Sequence, residues 1–352
     1  MQNAAATDPI VYPYGDVVPP TGGSVELLPG VRWIRMGLPF ALDHINLWLL
    51  ADSVDGVRGW TIVDCGIASE STRAAWEQVF ATQLDGLPVL RVVVTHMHPD
   101  HVGLADWLTR RWNCPLWMSA TDYAFARMAS QGSMAIGGGT MSDHFAAHGL
   151  RDPAALDAIR HRTDYYTRLV PAVPPRFVRL LDGDTLRIGG RDWRCVTGYG
   201  HAPEHISLWC AQDRVFIAGD MLLPRISTNI SVTDVEPLDN PLAQFLRSLE
   251  RYATLLPRDA LVLPSHGLPF RGAQERIAQL RQHHRDRLAE VMEACATPQT
   301  AADLLPVLFR RPLDLHQMTF AMGESIAHLH ALWFEGRLQR VEQNGVYHFM
   351  RR

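Results

Sequence analysis

Apolar and polar positions along the first part of the chain follow a strand–helix–strand rhythm. Residues 24–65 form three strand-like runs that end at turn-forming pairs such as Asp55-Gly56. A helical pattern follows over about 69–83, with Ser69 as the expected N-cap. The continuous apolar run at 89–94 then predicts a strand buried on both faces. Together these elements predict a layered α/β fold.

Residues 121–176 interrupt this rhythm, and we interpret them as a helical insertion. Asp152 is the expected N-cap of a helix that has Pro153 at its first position and ends at the proline-rich segment 171–175. Strands resume after the insertion and are followed by a second helix–strand pair. The runs WTIVDCG and RVFIAGD both place an aspartate at a strand end. We therefore expect two similar sheets packed face to face.

The pattern changes again at residue 273. One long helix is predicted from Ala273 to about Ala294, and two further helical patterns follow it. Asn344-Gly345 lies between two alternating runs, which is a strong hairpin signal. We expect two domains, 1–272 and 273–352, the second a long helix plus a winged-helix-like unit.

Composition narrows the function classes only slightly. The chain has 352 residues, of which 47% are hydrophobic and 20% charged, and its net charge is −4. This near-neutral balance gives no global attraction to nucleic acid or an anionic membrane. All 33 basic residues are arginine, which excludes a catalytic lysine. The five scattered cysteines, the absence of a leader-like N-terminus and the absence of a long apolar run predict a cytoplasmic protein without a membrane span.

The strongest chemical signal is the stretch THMHPDHVG, which directly follows the apolar run at 89–94. It places three histidines and an aspartate, His96, His98, Asp100 and His101, within six residues. Imidazole suits zinc, iron and manganese, and carboxylate suits harder cations. Because such groups are costly to bury without a partner, we interpret the cluster as part of a metal site.

Three later apolar runs end in further candidate ligands: His201, Asp220 and His266. Five histidines and two aspartates are enough for a dinuclear site. We therefore expect two divalent metal ions as cofactors, with zinc favoured and iron or manganese as alternatives.

In its motifs VDCG, THMHPDHVG, GHAPEH, AGD and SHG, over roughly residues 30–270, the chain resembles the metallo-β-lactamase-fold hydrolases. It looks closest to their glyoxalase II-like branch. The segment SHGLPF, with a following helix that carries HHRDR at 283–287, resembles the lactamase-beta-like members with a C-terminal winged helix. The resemblance implies a four-layer αββα sandwich with the site at one edge.

The resemblance also implies a role for each candidate residue. One metal would be held by His96, His98 and His201, the other by Asp100, His101 and His266, and Asp220 would bridge them. Asp64 would hold a ligand histidine in its tautomer, and His205 would lie behind the ligands or contact substrate. The sequence departs from the family at Ala202-Pro203-Glu204, where Thr-Pro-Gly is usual.

The expected function is hydrolysis of a carboxylic ester, thioester or lactone by a metal-bridging hydroxide. Asp100 and Asp220 are the expected catalytic carboxylates, and Asp100 would assist proton movement to the leaving group. Candidate substrate contacts are Tyr199 and, in the insertion, Tyr165, Tyr166, His144 and His148.

Three other functions fit the same motifs. An endoribonuclease or phosphodiesterase would use the same site, but residues 271–352 hold 11 arginines against 9 acidic residues and show no strongly basic face. A persulfide dioxygenase would need only one metal, and a non-catalytic ligand-binding protein would not need the full ligand set. We interpret the C-terminal region as a structural or homodimerisation element and do not expect nucleic acid to be a partner.

Overall fold

The structure of the chain is a computed structural model that describes residues 10–132 and 137–352. The first nine residues, on which part of the leader inference rests, lie outside the described residues.

The first sheet has seven strands in chain order. Its first four strands form an antiparallel meander and the later strands add in parallel, which requires crossover connections. The strands are β1 Val25–Leu28, β2 Val31–Gly37, β3 His44–Val54, β4 Val57–Val63, β5 Val89–Val93, β6 Leu116–Met118 and β7 Val178–Arg179. The crossovers contain α1 Glu70–Thr82, α2 Pro99–Val102 and α3 Ala105–Trp112. Ser69 caps α1 as expected, since its hydroxyl accepts a hydrogen bond from the Thr72 N–H.

The insertion lies between β6 and β7 and is helical, as expected. It contains α4 Ala120–Ser130, α5 Gly139–Ala147, α6 Pro153–His161 and α7 Tyr165–Leu169. Asp152 caps α6, but the single helix expected after it is wrong, because the helix breaks between His161 and Tyr165. Arg162 leaves the helical conformation, stacks over the Tyr165 ring and donates a hydrogen bond to Thr319. These tertiary contacts outweigh the local helical pattern.

The second sheet has five strands in the order β12-β11-β10-β9-β8. The strands are β8 Thr185–Ile188, β9 Arg191–Gly198, β10 His205–Cys210, β11 Val215–Gly219 and β12 Leu261–Pro264. Only β11 and β12 pair in parallel, and the helix α8 Pro241–Leu255 connects them. The second sheet is therefore mostly antiparallel.

The two sheets face each other across a buried aromatic and aliphatic core. Trp33 and Trp48 of the first sheet pack in one cluster with Trp193, Ile206 and Leu208 of the second. A second cluster joins the outer face of the first sheet to α1 and α3, and a third joins the second sheet to α8 and the C-terminal helices. These layers form the expected αββα sandwich.

The C-terminal region packs on the outer layer of the second sheet. It contains α9 Ala273–Ala294, α10 Leu305–Leu308, α11 Leu315–Phe334, β13 Leu338–Gln343 and β14 Val346–Arg351. The long helix has the expected bounds, and Asn344 and Gly345 turn the hairpin with φ of 52° and 77°. Phe245 of α8, Ile277 of α9 and Met322 of α11 belong to one hydrophobic cluster. None of the helices in 10–132 or 137–352 is long and apolar enough to cross a membrane.

Candidate metal centre

The polar residues of interest lie at the ends of strands that converge on one edge of the sandwich. His96 follows β5, His201 lies between β9 and β10, Asp220 follows β11, and His266 follows β12. Asp64, directly after β4, has a φ of 63°, a left-handed conformation that aspartate tolerates better than most residues. Its carboxylate accepts a hydrogen bond from the Thr95 N–H at 2.8 Å and so fixes the start of the loop that contains His96.

The first group of donors consists of three imidazole nitrogens. His98 Nδ1 lies 2.8 Å from His96 Nε2 and 3.1 Å from His201 Nε2, and the last two atoms are 3.2 Å apart. Ligand nitrogens about 2.0–2.1 Å from a tetrahedral zinc ion lie only slightly farther apart, at roughly 3.3–3.4 Å. The triangle therefore has about the size that one small divalent ion requires.

The second group combines two histidines with a carboxylate. Asp100 Oδ2 lies 3.7 Å from His101 Nε2 and 3.4 Å from His266 Nε2. All three side chains have their ligand atoms within 4.8 Å of one another. This group is mixed nitrogen and oxygen, which suits the same range of divalent metals.

Asp220 lies between the two groups. Its Oδ2 is 3.4 Å from His201 Nε2 in the first group. Its Oδ1 is 3.5 Å from His101 Nε2 and 3.4 Å from His266 Nε2 in the second. One carboxylate thus directs one oxygen to each group, which is the arrangement that a bridging ligand needs.

Hydrogen bonds on the far side of the rings fix the tautomers of three histidines. The Nδ1 of His101 lies 2.8 Å from Asp64 Oδ2, that of His201 lies 2.8 Å from the Asn229 carbonyl, and that of His266 lies 2.7 Å from the His44 carbonyl. Because a carbonyl can only accept, the proton of His201 and of His266 sits on Nδ1. The Nε2 atoms then face the site, as metal-ligating histidines require. Burial opposes protonation of His266, but Asp220 and Asp100 outweigh it and raise its pKa to about 10, so a bound metal ion would replace the Nε2 proton.

The charge states of these side chains are also compatible with bound metal cations. Burial and neighbouring imidazoles lower the pKa of His98 to about 3, so this ring is a neutral donor. Burial opposes ionisation of Asp100, but His101 and His266 outweigh it and lower the Asp100 pKa to about 2. His101 Nε2 and Asp220 Oδ1 are buried without a hydrogen-bond partner among the described residues. Such orphaned atoms are rare unless a ligand or ion satisfies them, so the donor set fits divalent metal ions.

Comparison with known proteins gives a consistent family assignment. The family model described as "Metallo-beta-lactamase superfamily" matches residues 42–266, which is most of the chain. The chain belongs to the metallo-beta-lactamase superfamily. A second model, "Metallo-beta-lactamase-like, C-terminal domain", matches residues 288–352. Neither match distinguishes a glyoxalase II-like branch or a winged helix, so those two assignments stay predictions.

Relatives within the superfamily match nearly the full chain. A beta-lactamase domain protein from Burkholderia ambifaria is 57% identical, covers 97% of this chain and 98% of its own, and superposes with a TM-score of 0.93. The family protein TTHA1429 from Thermus thermophilus is 28% identical, with coverages of 93% and 100% and a TM-score of 0.76. The "Probable metallo-hydrolase YqjP" of Bacillus subtilis is 25% identical over 334 residues, which are 89% of this chain and 96% of that protein.

Sequence reasoning missed Asp122, which connects two loops of the superfamily site. This buried residue of α4 accepts hydrogen bonds from the Met97 N–H at 2.8 Å and from the Glu204 N–H at 2.7 Å. Glu204, the departure from the family pattern, in turn accepts hydrogen bonds from the N–H and hydroxyl of Thr121. The two carboxylates therefore fasten the loop of His201 to the start of α4.

The predicted positioning residue His205 lies behind the ligands. Its buried ring packs 4.9 Å from the His96 ring, measured between centroids, and its Nε2 accepts a hydrogen bond from the Asp220 N–H at 3.3 Å. A Cβ on Gly219 would come within 2.2 Å of this nitrogen, so only glycine fits beside it. His205 is thus in contact with the backbone of a ligand residue.

The ligand residues open into a cavity of about 1620 Å³ between the sandwich and the C-terminal helices. Of the expected substrate contacts, Tyr199 and Tyr165 line it. Tyr166 does not, because its ring is buried in the core and its hydroxyl donates to the Met97 carbonyl at 2.5 Å. His144 and His148 do not line it either, since both are buried at the C-terminal end of α5, where their ring centroids lie 4.5 Å apart.

Proposed function

We propose that the protein is a metal-dependent hydrolase of a carboxylic ester, thioester or lactone, and that it uses two divalent metal ions. The observation that carries the proposal is the sharing of Asp220 by two donor groups at the base of one large cavity. The name of the Bacillus relative, a probable metallo-hydrolase, is consistent with it.

Each donor has a role in this proposal. His96, His98 and His201 would hold one ion, Asp100, His101 and His266 the other, and Asp220 both. When bound, the two ions supply a water of lowered pKa as nucleophile and a Lewis acid for the carbonyl oxygen. Asp100 would assist proton movement to the leaving group while it remains a ligand. Zinc is the metal we favour, and iron or manganese would suit the same donors.

The apolar part of the cavity wall suits an ester-type substrate. Four of the large apolar side chains that are exposed to solvent, Tyr199, Ile226, Val235 and Phe320, line this cavity. Concave sites with mostly apolar walls and a few convergent polar groups are typical of small-molecule sites. We therefore propose a substrate whose acyl part is apolar and sizeable.

The test combines metal analysis with a substrate panel. Protein purified without added metal is analysed for its metal content, and rates are measured on thioesters, lactones and nitrophenyl esters. We expect activity on at least one class and its loss in His96→Ala and in His266→Ala, with the exposed His161→Ala as matched control. Inactivity of the metal-loaded protein on every class, together with cleavage of single-stranded RNA that His96→Ala abolishes, would replace the proposal with the nuclease alternative.

A further inference from the structure

One face of α11 forms a wall of the cavity. His316, Phe320 and Glu324 are spaced four residues apart, so they lie above one another on this helix, and all three line the cavity. At 1.5 Å per residue, the stripe extends about 12 Å from His316 to Glu324. The C-terminal region thus supplies a linear surface to the site.

The His316 end of this stripe is connected to the candidate metal ligands through Tyr165. Tyr165 lies beside His316, with ring centroids 5.7 Å apart, and burial together with the charge of Asp100 raises the pKa of Tyr165 to about 12. Phe40, from the loop between β2 and β3, also stacks on His316, with ring centroids 5.3 Å apart. An acyl chain that leaves the metal centre would pass these rings before it reaches Phe320.

Glu324 lies at the other end of the stripe, and its carboxyl group has no hydrogen-bond partner among the described residues. It is only partly exposed, and its side chain makes no hydrogen bond or ion pair with any residue in 10–132 or 137–352. Desolvation raises its pKa to about 7, although the positive charge of Arg287 opposes this shift. A desolvated carboxyl group without a partner is costly, so the position calls for a ligand group that donates a hydrogen bond.

The positive charge of the neighbouring Arg287 limits which hydrogen-bond donor of a ligand can bind to Glu324. Arg287 is held by Glu290 at 2.7 Å, and its Nε is buried without a hydrogen-bond partner among the described residues. Its positive charge disfavours an ammonium group nearby, whereas a hydroxyl group can donate to Glu324 and still accept a hydrogen bond.

We propose that Glu324 binds a hydroxyl group on the acyl part of the substrate, remote from the bond that is hydrolysed. The substrate class would then be a hydroxyacyl ester or thioester. This inference rests on the proposed function and assigns α11 to substrate selection.

The experiment compares nitrophenyl esters of unbranched acids with their terminally hydroxylated counterparts over a series of chain lengths. At the length that reaches Glu324, the wild-type protein should show a kcat/KM about tenfold higher for the hydroxylated ester. Glu324→Leu should abolish this preference. Glu324→Gln, which keeps an acceptor oxygen, should retain part of it, and the exposed Glu335→Leu at the end of α11 should retain all of it.

Two results would overturn the inference: no preference in the wild type at any length, or a preference that persists in Glu324→Leu. A preference for terminally aminated esters would overturn the assignment of a hydroxyl group. If no ester or thioester is hydrolysed, this result contradicts the proposed function but not the proposed binding of a hydroxyl group by Glu324. Calorimetric binding of free hydroxy acids to the wild type and to Glu324→Leu then tests the subsite, and equal affinities would contradict it.

Discussion

Asp122 and Met97 are joined by a buried hydrogen bond of 2.8 Å, from the Met97 N–H to the Asp122 carboxylate. Met97 lies between the candidate ligand residues His96 and His98. The other carboxylate oxygen accepts from the Glu204 N–H, three residues after His201. The Asp122 side chain therefore holds together the two loops that carry the first group of candidate metal donors.

Replacement of Asp122 should weaken metal binding and lower stability together. Asp122→Ala leaves the buried Met97 N–H and the partly buried Glu204 N–H unpaired, and loss of the buried partner alone costs about 1–3 kcal/mol of the free energy of unfolding. Loss of such supporting partners also reduces metal affinity by roughly 10–100-fold. Competition with a chelator and urea unfolding measure the two effects. Asp157→Ala, at an exposed position, should change neither, and a normal metal affinity in Asp122→Ala would contradict the role we assign.

The sequence identified the ligand loops but not their support, for a physical reason. His96, His98 and His101 stand out because several costly polar groups follow a buried strand. Asp122 does not stand out, because an acidic residue in the first turn of a helix is ordinary there. Its partners are backbone N–H groups, which no side-chain pattern reveals. The break between α6 and α7 was invisible for a similar reason, since Arg162 leaves the helix to contact Thr319 of α11.

The adjacent residues Tyr165 and Tyr166 should respond differently to substitution. Tyr165→Ala removes a cavity wall, so we expect a several-fold higher KM with little loss of stability. Tyr166→Phe removes the donor to the Met97 carbonyl inside the core, so it should lower the free energy of unfolding by about 1–3 kcal/mol. Steady-state kinetics and urea unfolding on both variants separate the effects. Equal effects of the two substitutions on KM would contradict the assignment of Tyr165, and not Tyr166, to the cavity wall.

This pair of tyrosines also shows which side-chain orientations the sequence pattern cannot predict. Both tyrosines belong to a five-residue helix, and neighbouring residues on so short an element can face the cavity and the core. Periodicity over one turn does not resolve the two faces, which is why both were expected to contact substrate. The long helix Ala273–Ala294 is predictable because its pattern extends over many turns.

Metal binding should be separable into two sites. We expect about two ions per chain in the wild type and about one in His266→Ala, because the first group of donors keeps all three of its histidines. Since ions bind only the folded site, chelation should lower the thermal midpoint of the wild type more than that of His266→Ala. Elemental analysis and thermal unfolding with and without chelator test this. Two ions in His266→Ala would contradict the assignment, and His161→Ala serves as the unaffected control.

The buried imidazoles between α5 and the C-terminal region should make the protein sensitive to acid. Burial lowers the pKa of His148 and of His330 to about 4 and that of His144 to about 3. The unfolded chain takes up these protons near pH 6.5 and the folded chain only near pH 4 for His148 and His330 and near pH 3 for His144. Stability is therefore complete above pH 6.5 and falls as the pH drops toward these values. Each group contributes at most about 1.4 kcal/mol per pH unit in that window.

His148→Leu should reduce this acid sensitivity. Urea unfolding of both proteins at pH 7.5 and at pH 5 gives the difference directly, and effects of the metal ligands cancel because both proteins retain them. Between pH 7.5 and pH 5, the variant should lose less of its free energy of unfolding than the wild type does, by up to roughly 2 kcal/mol. The reason is that the variant takes up one fewer proton when it unfolds in this range. His161→Leu, at an exposed position, should behave as the wild type. Parallel pH profiles of the wild type and His148→Leu would show that this imidazole is not the source of the acid sensitivity.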